Sequence, residues 1–230
     1  MQTKKTKRFL SVFLSMLIVS SVFFGAKADA IKQRAITYTA LGDSISTGYK
    51  LSNTSKDYVN LFGKYLNTVP VNLGKNGLDS AGLLRKLNQD QTVIGQIKKS
   101  DVITVSMGGN DMLVIFSSLN LDLTSPLSLV NAVSLLQGNT LHRKLTGGVE
   151  SFSKNWPEIV ARLKNLAPDA NLVVTTLINP YQGIVLKVPL LLNFDLGAFS
   201  EPYIRQINSV IKKRRKRELS GGRFLFDVSE

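Results

Sequence analysis

The sequence predicts an α/β domain: a parallel sheet with helices on both faces. Two observations carry that expectation. Short apolar, β-branched runs alternate along the chain with longer stretches whose apolar residues recur at helical spacing. Several runs also open at their carboxyl ends into turns rich in glycine, asparagine and aspartate, where open parallel sheets place their ligands. At 230 residues the chain is long enough for one such domain with a full core. No internal repeat or shift in composition marks a second.

The first strand runs from Ile36 to Gly42 and turns at once into Asp43-Ser44-Ile45-Ser46. A helix is expected over Asp57–Leu66, where Tyr58, Leu61, Phe62, Tyr65 and Leu66 share a face. Val69–Leu73 reads as a second strand and ends in Gly74-Lys75-Asn76-Gly77, a turn of residues that tolerate positive φ. Ser80–Lys86 and Thr92–Lys99 are helical pieces. Asp101–Met107 is the clearest buried strand, followed directly by Gly108-Gly109-Asn110-Asp111. Glu150–Leu166 is a helix with Trp156 as a core anchor, and Asn171–Thr176 a fourth strand. Ser200 reads as an N-cap, with Glu201 and Pro202 in the first turn and Tyr203, Ile207, Val210 and Ile211 on one face. Arg223–Val228 is the fifth strand. Two insertions, Met112–Leu136 and Leu177–Phe199, are unusually apolar: they are either helices packed over the core or a lid that meets lipid.

The amino terminus differs from the rest. Lys4, Lys5, Lys7 and Arg8 precede an apolar run from Phe9 to Phe24, and Ala26, Ala28 and Ala30 then alternate with larger residues. Residues 1–30 are therefore expected to be a cleaved signal peptide, with the domain over 31–230 and the mature protein secreted. An uncleaved membrane anchor is the other reading. The chain has no cysteine, which excludes disulfides and thiolate chemistry. Removing residues 1–30 takes away five basic residues and one acid and leaves a net charge of about +9. Such a charge favours anionic membrane or cell-wall surfaces. Lys212–Arg217 concentrates it; on an exported chain this run reads as a solvated helix end able to dock on such a surface, not as a nucleic-acid patch.

The turns after the first three strands carry Ser44, Gly77 and Asn110. Acyl transfer needs a nucleophile and hydrogen-bond donors aimed at the oxyanion of the tetrahedral intermediate. The Ser44 hydroxyl, the N–H groups of Ser44 and Gly77 and the Asn110 amide offer that set; glycine leaves the approach open, and asparagine donates without adding charge. Asp43 and Asp111 are expected to hydrogen-bond turn and helix N-terminal N–H groups. No cofactor or metal site is expected, since no His/Asp/Glu cluster has ligand spacing and no Gly-rich phosphate loop appears.

Together these blocks resemble the GDSL, or SGNH, hydrolases, a family of esterases and lipases. Gly42-Asp43-Ser44-Ile45 is similar to the family's first block, Asn72–Gly77 to the second and Gly108-Gly109-Asn110-Asp111 to the third. The resemblance implies a three-layer α/β/α flavodoxin-like fold with a five-stranded parallel sheet. It further implies a monomeric serine esterase or lipase acting on lipid or phospholipid esters, with Ser44 as nucleophile and Gly77 and Asn110 in the oxyanion hole. O-acetylated wall polysaccharide is the next substrate class. The family also carries an Asp-x-x-His block near its carboxyl terminus that supplies the base. The sequence ends at Glu230 before such a block, Asp227 sits within the fifth strand, and the one histidine, His142, lies in an insertion. The expectation is thus a truncated, nearly inactive hydrolase short of its last helix, since losing the base costs on the order of a millionfold in turnover. A catalytically silent surface-binding protein and a non-functional fragment are the alternatives.

Overall fold

The structure is a computed structural model that describes residues 34–112, 139–179, 181–188 and 192–218. The described residues from 36 onward belong to one compact unit. The expected signal peptide, the expected fifth strand and nearly all of the Met112–Leu136 insertion lie outside the described residues.

Four strands make the described sheet: β1 (Tyr38–Gly42), β2 (Val71–Asn72), β3 (Val102–Ser106) and β4 (Asn171–Val174). All pairings are parallel and the order is β2-β1-β3-β4, so the chain reverses direction across the sheet after β2. β1 and β3 are buried along their whole length. That is why they read as continuous apolar runs instead of alternating ones.

Period-two alternation sorts the sheet's side chains between two cores. Leu41, Ile103, Val105, Leu172 and Val174 face a large cluster shared with four helices. These are α2 (Ser80–Gln89), α3 (Gln91–Ile97), α4 (Asn139–Leu166) and α5 (Leu196–Glu218). Tyr38, Ala40, Val102 and Val173 face the other way, onto Val59, Phe62 and Leu66 of and just after α1 (Tyr58–Tyr65). The strand residues on that second face are buried.

Capping follows the sequence closely. Asp57, Asp79 and Asp90 each accept a backbone N–H from the first turn of α1, α2 and α3. Trp156 is buried on α4 and stacked on Phe152 at 5.5 Å, as its anchoring role requires.

Three expectations are corrected. α4 begins at Asn139, eleven residues before Glu150, because Leu141, Leu145 and Val149 continue its buried stripe. α5 begins at Leu196, with Asp195 Oδ1 accepting the Ala198 N–H at 2.8 Å, so Ser200 lies inside the helix. Its hydroxyl folds back onto the Leu196 carbonyl at 2.8 Å. The second apolar insertion holds an antiparallel pair, β5 (Val185–Val188) and β6 (Leu192–Asp195), in place of packed helices. Phe194 and Phe199 anchor this region on the large core.

Candidate active site

β1 delivers Ser44 to the carboxyl edge of the sheet through a turn that only glycine can make. Gly42 has φ +149°, and a Cβ there would lie 2.4 Å from the Ser106 carbonyl oxygen of the neighbouring strand. Asp43 follows, 3% exposed, with its Oδ1 accepting the Ile45 N–H at 2.9 Å. Burial pushes the Asp43 carboxyl above its usual range, and the hydrogen bonds from Ile45 and its own N–H oppose that. Ser44 itself is half-buried. Its carbonyl accepts from the Tyr49 N–H at 3.0 Å. Among the described residues neither its hydroxyl nor its N–H has a hydrogen-bond partner.

The loop after β2 is tied directly to this turn. The Lys75 N–H donates to the Gly42 carbonyl at 2.9 Å, and the Asn72 amide to the Ser46 carbonyl at 2.6 Å. The Thr47 hydroxyl reaches the side-chain oxygen of Asn76 at 2.5 Å. Gly77 then sits exposed with φ +74°, and a Cβ on it would meet nothing within 4 Å. Glycine is required there by the backbone conformation, not by crowding. The Gly77 N–H also has no acceptor among the described residues.

The third loop closes onto the second. Asn110 is buried at the start of a helical segment over 109–112, and its amide donates to the Leu78 carbonyl at 3.0 Å. An amide nitrogen carries two protons, so one remains for a ligand. Asp111 accepts the Ser80 N–H at 3.1 Å and the Ser80 hydroxyl as well. Ser80 opens α2, so this carboxylate serves a helix N-terminus, as expected, although the helix is not its own. The Asn155 amide of α4 reaches the Ser80 hydroxyl at 3.0 Å. Asp43 and Gly109 are close too: a Cβ on Gly109 would stand 3.5 Å from Asp43 Oδ2.

The loops bearing Ser44, Gly77 and Asn110 are therefore fastened pairwise by hydrogen bonds and contacts. His142 is not part of the cluster. It is exposed on α4, its Nδ1 is hydrogen-bonded to the Tyr203 hydroxyl, and its ring meets Phe199 at 4.9 Å. No hydrogen bond joins it to Ser44. Ser80 and Asn155 were not legible as supports. A polar residue beside Trp156 on α4 looks like any solvated position until α2 is packed against it.

Burial raises the Asp111 carboxyl from 3.8 to about 6, against the opposing hydrogen bonds from Ser80. A raised acid favours the folded state while it holds its proton. That advantage is present below pH 3.8 and is lost as pH rises through about 6. At 1.36 kcal/mol per pH unit the full swing is roughly 3 kcal/mol. Asp111→Asn keeps an acceptor for the Ser80 N–H and removes the charge. Denaturant midpoints between pH 4 and 8 should therefore show the variant gaining on the parent as pH rises; parallel curves would contradict this.

A parallel sheet of this order with helices on both faces is a flavodoxin-like α/β fold, and Ser44 follows the carboxyl end of β1. Residues 40–224 match the GDSL-like lipase/acylhydrolase family, and the chain belongs to that family. Over 84 residues it is 33% identical to the spore germination lipase LipC of Bacillus licheniformis, covering 34% of this chain and 39% of that protein's length. Among solved structures, a phospholipase A1 from Streptomyces albidoflavus NA297 has a TM-score of 0.57 at 18% identity, over 83% of this chain and 78% of that one. An extracellular lipase from Streptomyces rimosus has a TM-score of 0.54 at 18% identity, over 84% and 80%. These two likenesses bear on the fold.

Proposed function

We propose that this chain is the scaffold of an exported serine esterase or lipase acting on lipid or phospholipid esters. The Ser44 hydroxyl attacks the ester carbonyl as a base takes its proton. The oxyanion is received by the N–H groups of Ser44 and Gly77 and by the free proton of the Asn110 amide. Collapse of the intermediate expels the alcohol and leaves an acyl group on Ser44, which water then releases as the acid. What supports this is the fastening of three loops on which, among the described residues, the N–H groups of Ser44 and Gly77 have no acceptor and the Asn110 amide has one proton beyond its bond to the Leu78 carbonyl.

The apolar rim beside the nucleophile supports a lipid-type acyl group. Ile45 is 63%, Tyr49 58% and Leu51 47% exposed, an unusual run of large apolar side chains next to a polar turn. The name of the curated relative, a spore germination lipase, points the same way. Export is supported by the basic head and apolar run of residues 1–30, which precede the family match at residue 40. Contact with an anionic membrane or wall surface is supported by Lys212 and Lys213, both exposed toward the end of α5.

Turnover by the 230-residue chain alone is held to a residual level, because its one histidine is engaged with Tyr203 and not with Ser44. Free imidazole has the chemistry to serve as the missing base. Hydrolysis of p-nitrophenyl acyl esters should rise with imidazole by more than imidazole and Ser44→Ala together produce. An identical imidazole response in the parent and in Ser44→Ala would remove Ser44 from the reaction.

A further inference from the structure

We infer that a groove along α2 binds an organic phosphate, the anionic head of the ester substrate. The inference rests on the hydrolase reading for what the phosphate is attached to, though not for the binding itself. The groove encloses about 410 Å³ and is lined by Lys75, Leu78, Gly82, Arg85, Lys86 and Asp90, among others. Sites for small organic ligands typically span ~300–1,000 Å³. The space is ample for a phosphate together with the carbons that carry it.

Its charge is one-sided. The lining carries three cations and one carboxylate, and that carboxylate is already engaged: Asp90 Oδ1 accepts the N–H groups of Thr92 at 3.0 Å and Val93 at 3.2 Å at the start of α3. Asp79, beside Gly82 and outside the lining, is engaged as well, its Oδ1 accepting the Gly82 N–H at 2.7 Å. Among the described residues, none of the Lys75, Arg85 and Lys86 side chains has an ion pair or hydrogen bond. Arg85 Nη2 lies 3.6 Å from where a Cβ on Gly82 would stand, so the guanidinium is folded over the first turns of α2. A planar guanidinium with two ammonium groups suits the oxygens and double charge of a phosphate better than a lone carboxylate. Leu78 supplies an apolar wall for the adjoining carbons.

The position gives the groove its link to the chemistry. Lys75 and Leu78 flank Gly77 in the loop after β2, and the Leu78 carbonyl is the one that holds the Asn110 amide. A head group seated here lies against the same loop that presents the Gly77 N–H. An ester a few bonds away would then lie beside that loop.

Binding of sn-glycerol 3-phosphate and of inorganic phosphate to the full chain, read by calorimetry, tests this without turnover. The triple variant Lys75→Gln/Arg85→Gln/Lys86→Gln should weaken glycerol 3-phosphate binding roughly tenfold or more. Lys64→Gln/Lys98→Gln/Lys99→Gln removes the same charge at exposed positions outside the groove and should leave binding within about twofold. Equal losses in the two triples would reduce the effect to net charge and overturn the site. So would an absence of binding to the parent chain. Inorganic phosphate binding as tightly as glycerol 3-phosphate would make the ligand a free ion and overturn the head-group assignment. Binding that follows the groove in a chain that never acylates Ser44 sinks the hydrolase reading instead.

Discussion

Gly42→Ala is expected to destabilise the chain by about 4 kcal/mol or more, enough to threaten the fold of an ordinary domain. Two independent costs add. The backbone at φ +149° is one that side-chain-bearing residues rarely adopt. The new methyl would also stand 2.2 Å from Ser46 Oγ and 2.4 Å from the Ser106 carbonyl. Ser46 cannot turn away freely, because its hydroxyl holds the Leu41 carbonyl at 3.2 Å and the Tyr58 hydroxyl at 2.9 Å. Ser106 is backbone of β3, so relief requires the two central strands to part. Gly77→Ala is the matched control: its φ is +74° but its surroundings are empty, and only the conformational cost of about 1–2 kcal/mol applies. Urea midpoints for the pair should differ widely. Equal midpoints would mean that strand-end crowding does not set the nucleophile turn.

The second large effect concerns Asn110. Removing one oxyanion donor typically lowers acyl transfer by about 10²–10³-fold. Asn110→Ala should do so in the imidazole-assisted, Ser44-dependent reaction, normalised to the folded fraction. Asn110→Asp is the sharper variant. It keeps the shape but turns a donor into a carboxylate facing both the Leu78 carbonyl and the developing negative charge, so its loss should be at least as large. A variant that folds and acylates at the parental rate would take Asn110 out of the donor set.

The central strands were legible to within a residue or two, since fully buried parallel strands have no polar face to interrupt the run. The starts of α1 and α2 were legible to within a residue, and in the structure Asp57 and Asp79 cap them. What depended on tertiary contact was hidden. α4 was expected only from Glu150, after Gly147-Gly148. In the fold Gly148 lets the Asp111 carbonyl come so close that a Cβ would stand 2.1 Å away, and the helix runs straight through. Pro202 reads as a first-turn signal, yet α5 tolerates it in the interior, where Asp195 supplies the cap. Val185–Asp195 paired as a hairpin because its strands meet each other, which composition alone does not reveal. Residue types and spacing singled out Ser44, Gly77 and Asn110 as the candidate site, and the structure places them on loops fastened to one another. The hydrogen bonds that fasten their loops, through Asn72, Thr47 and Ser80, depend on which loops become neighbours.

The most direct measurement is to incubate the chain with p-nitrophenyl acetate and imidazole, quench, and locate the acyl group by peptide mass spectrometry. The proposed roles of Ser44 as nucleophile and Asn110 as oxyanion donor predict one acetylated position, Ser44, whose signal fades in Asn110→Asp. Acetyl groups spread over lysines, with the Ser44 peptide unmodified, would contradict it.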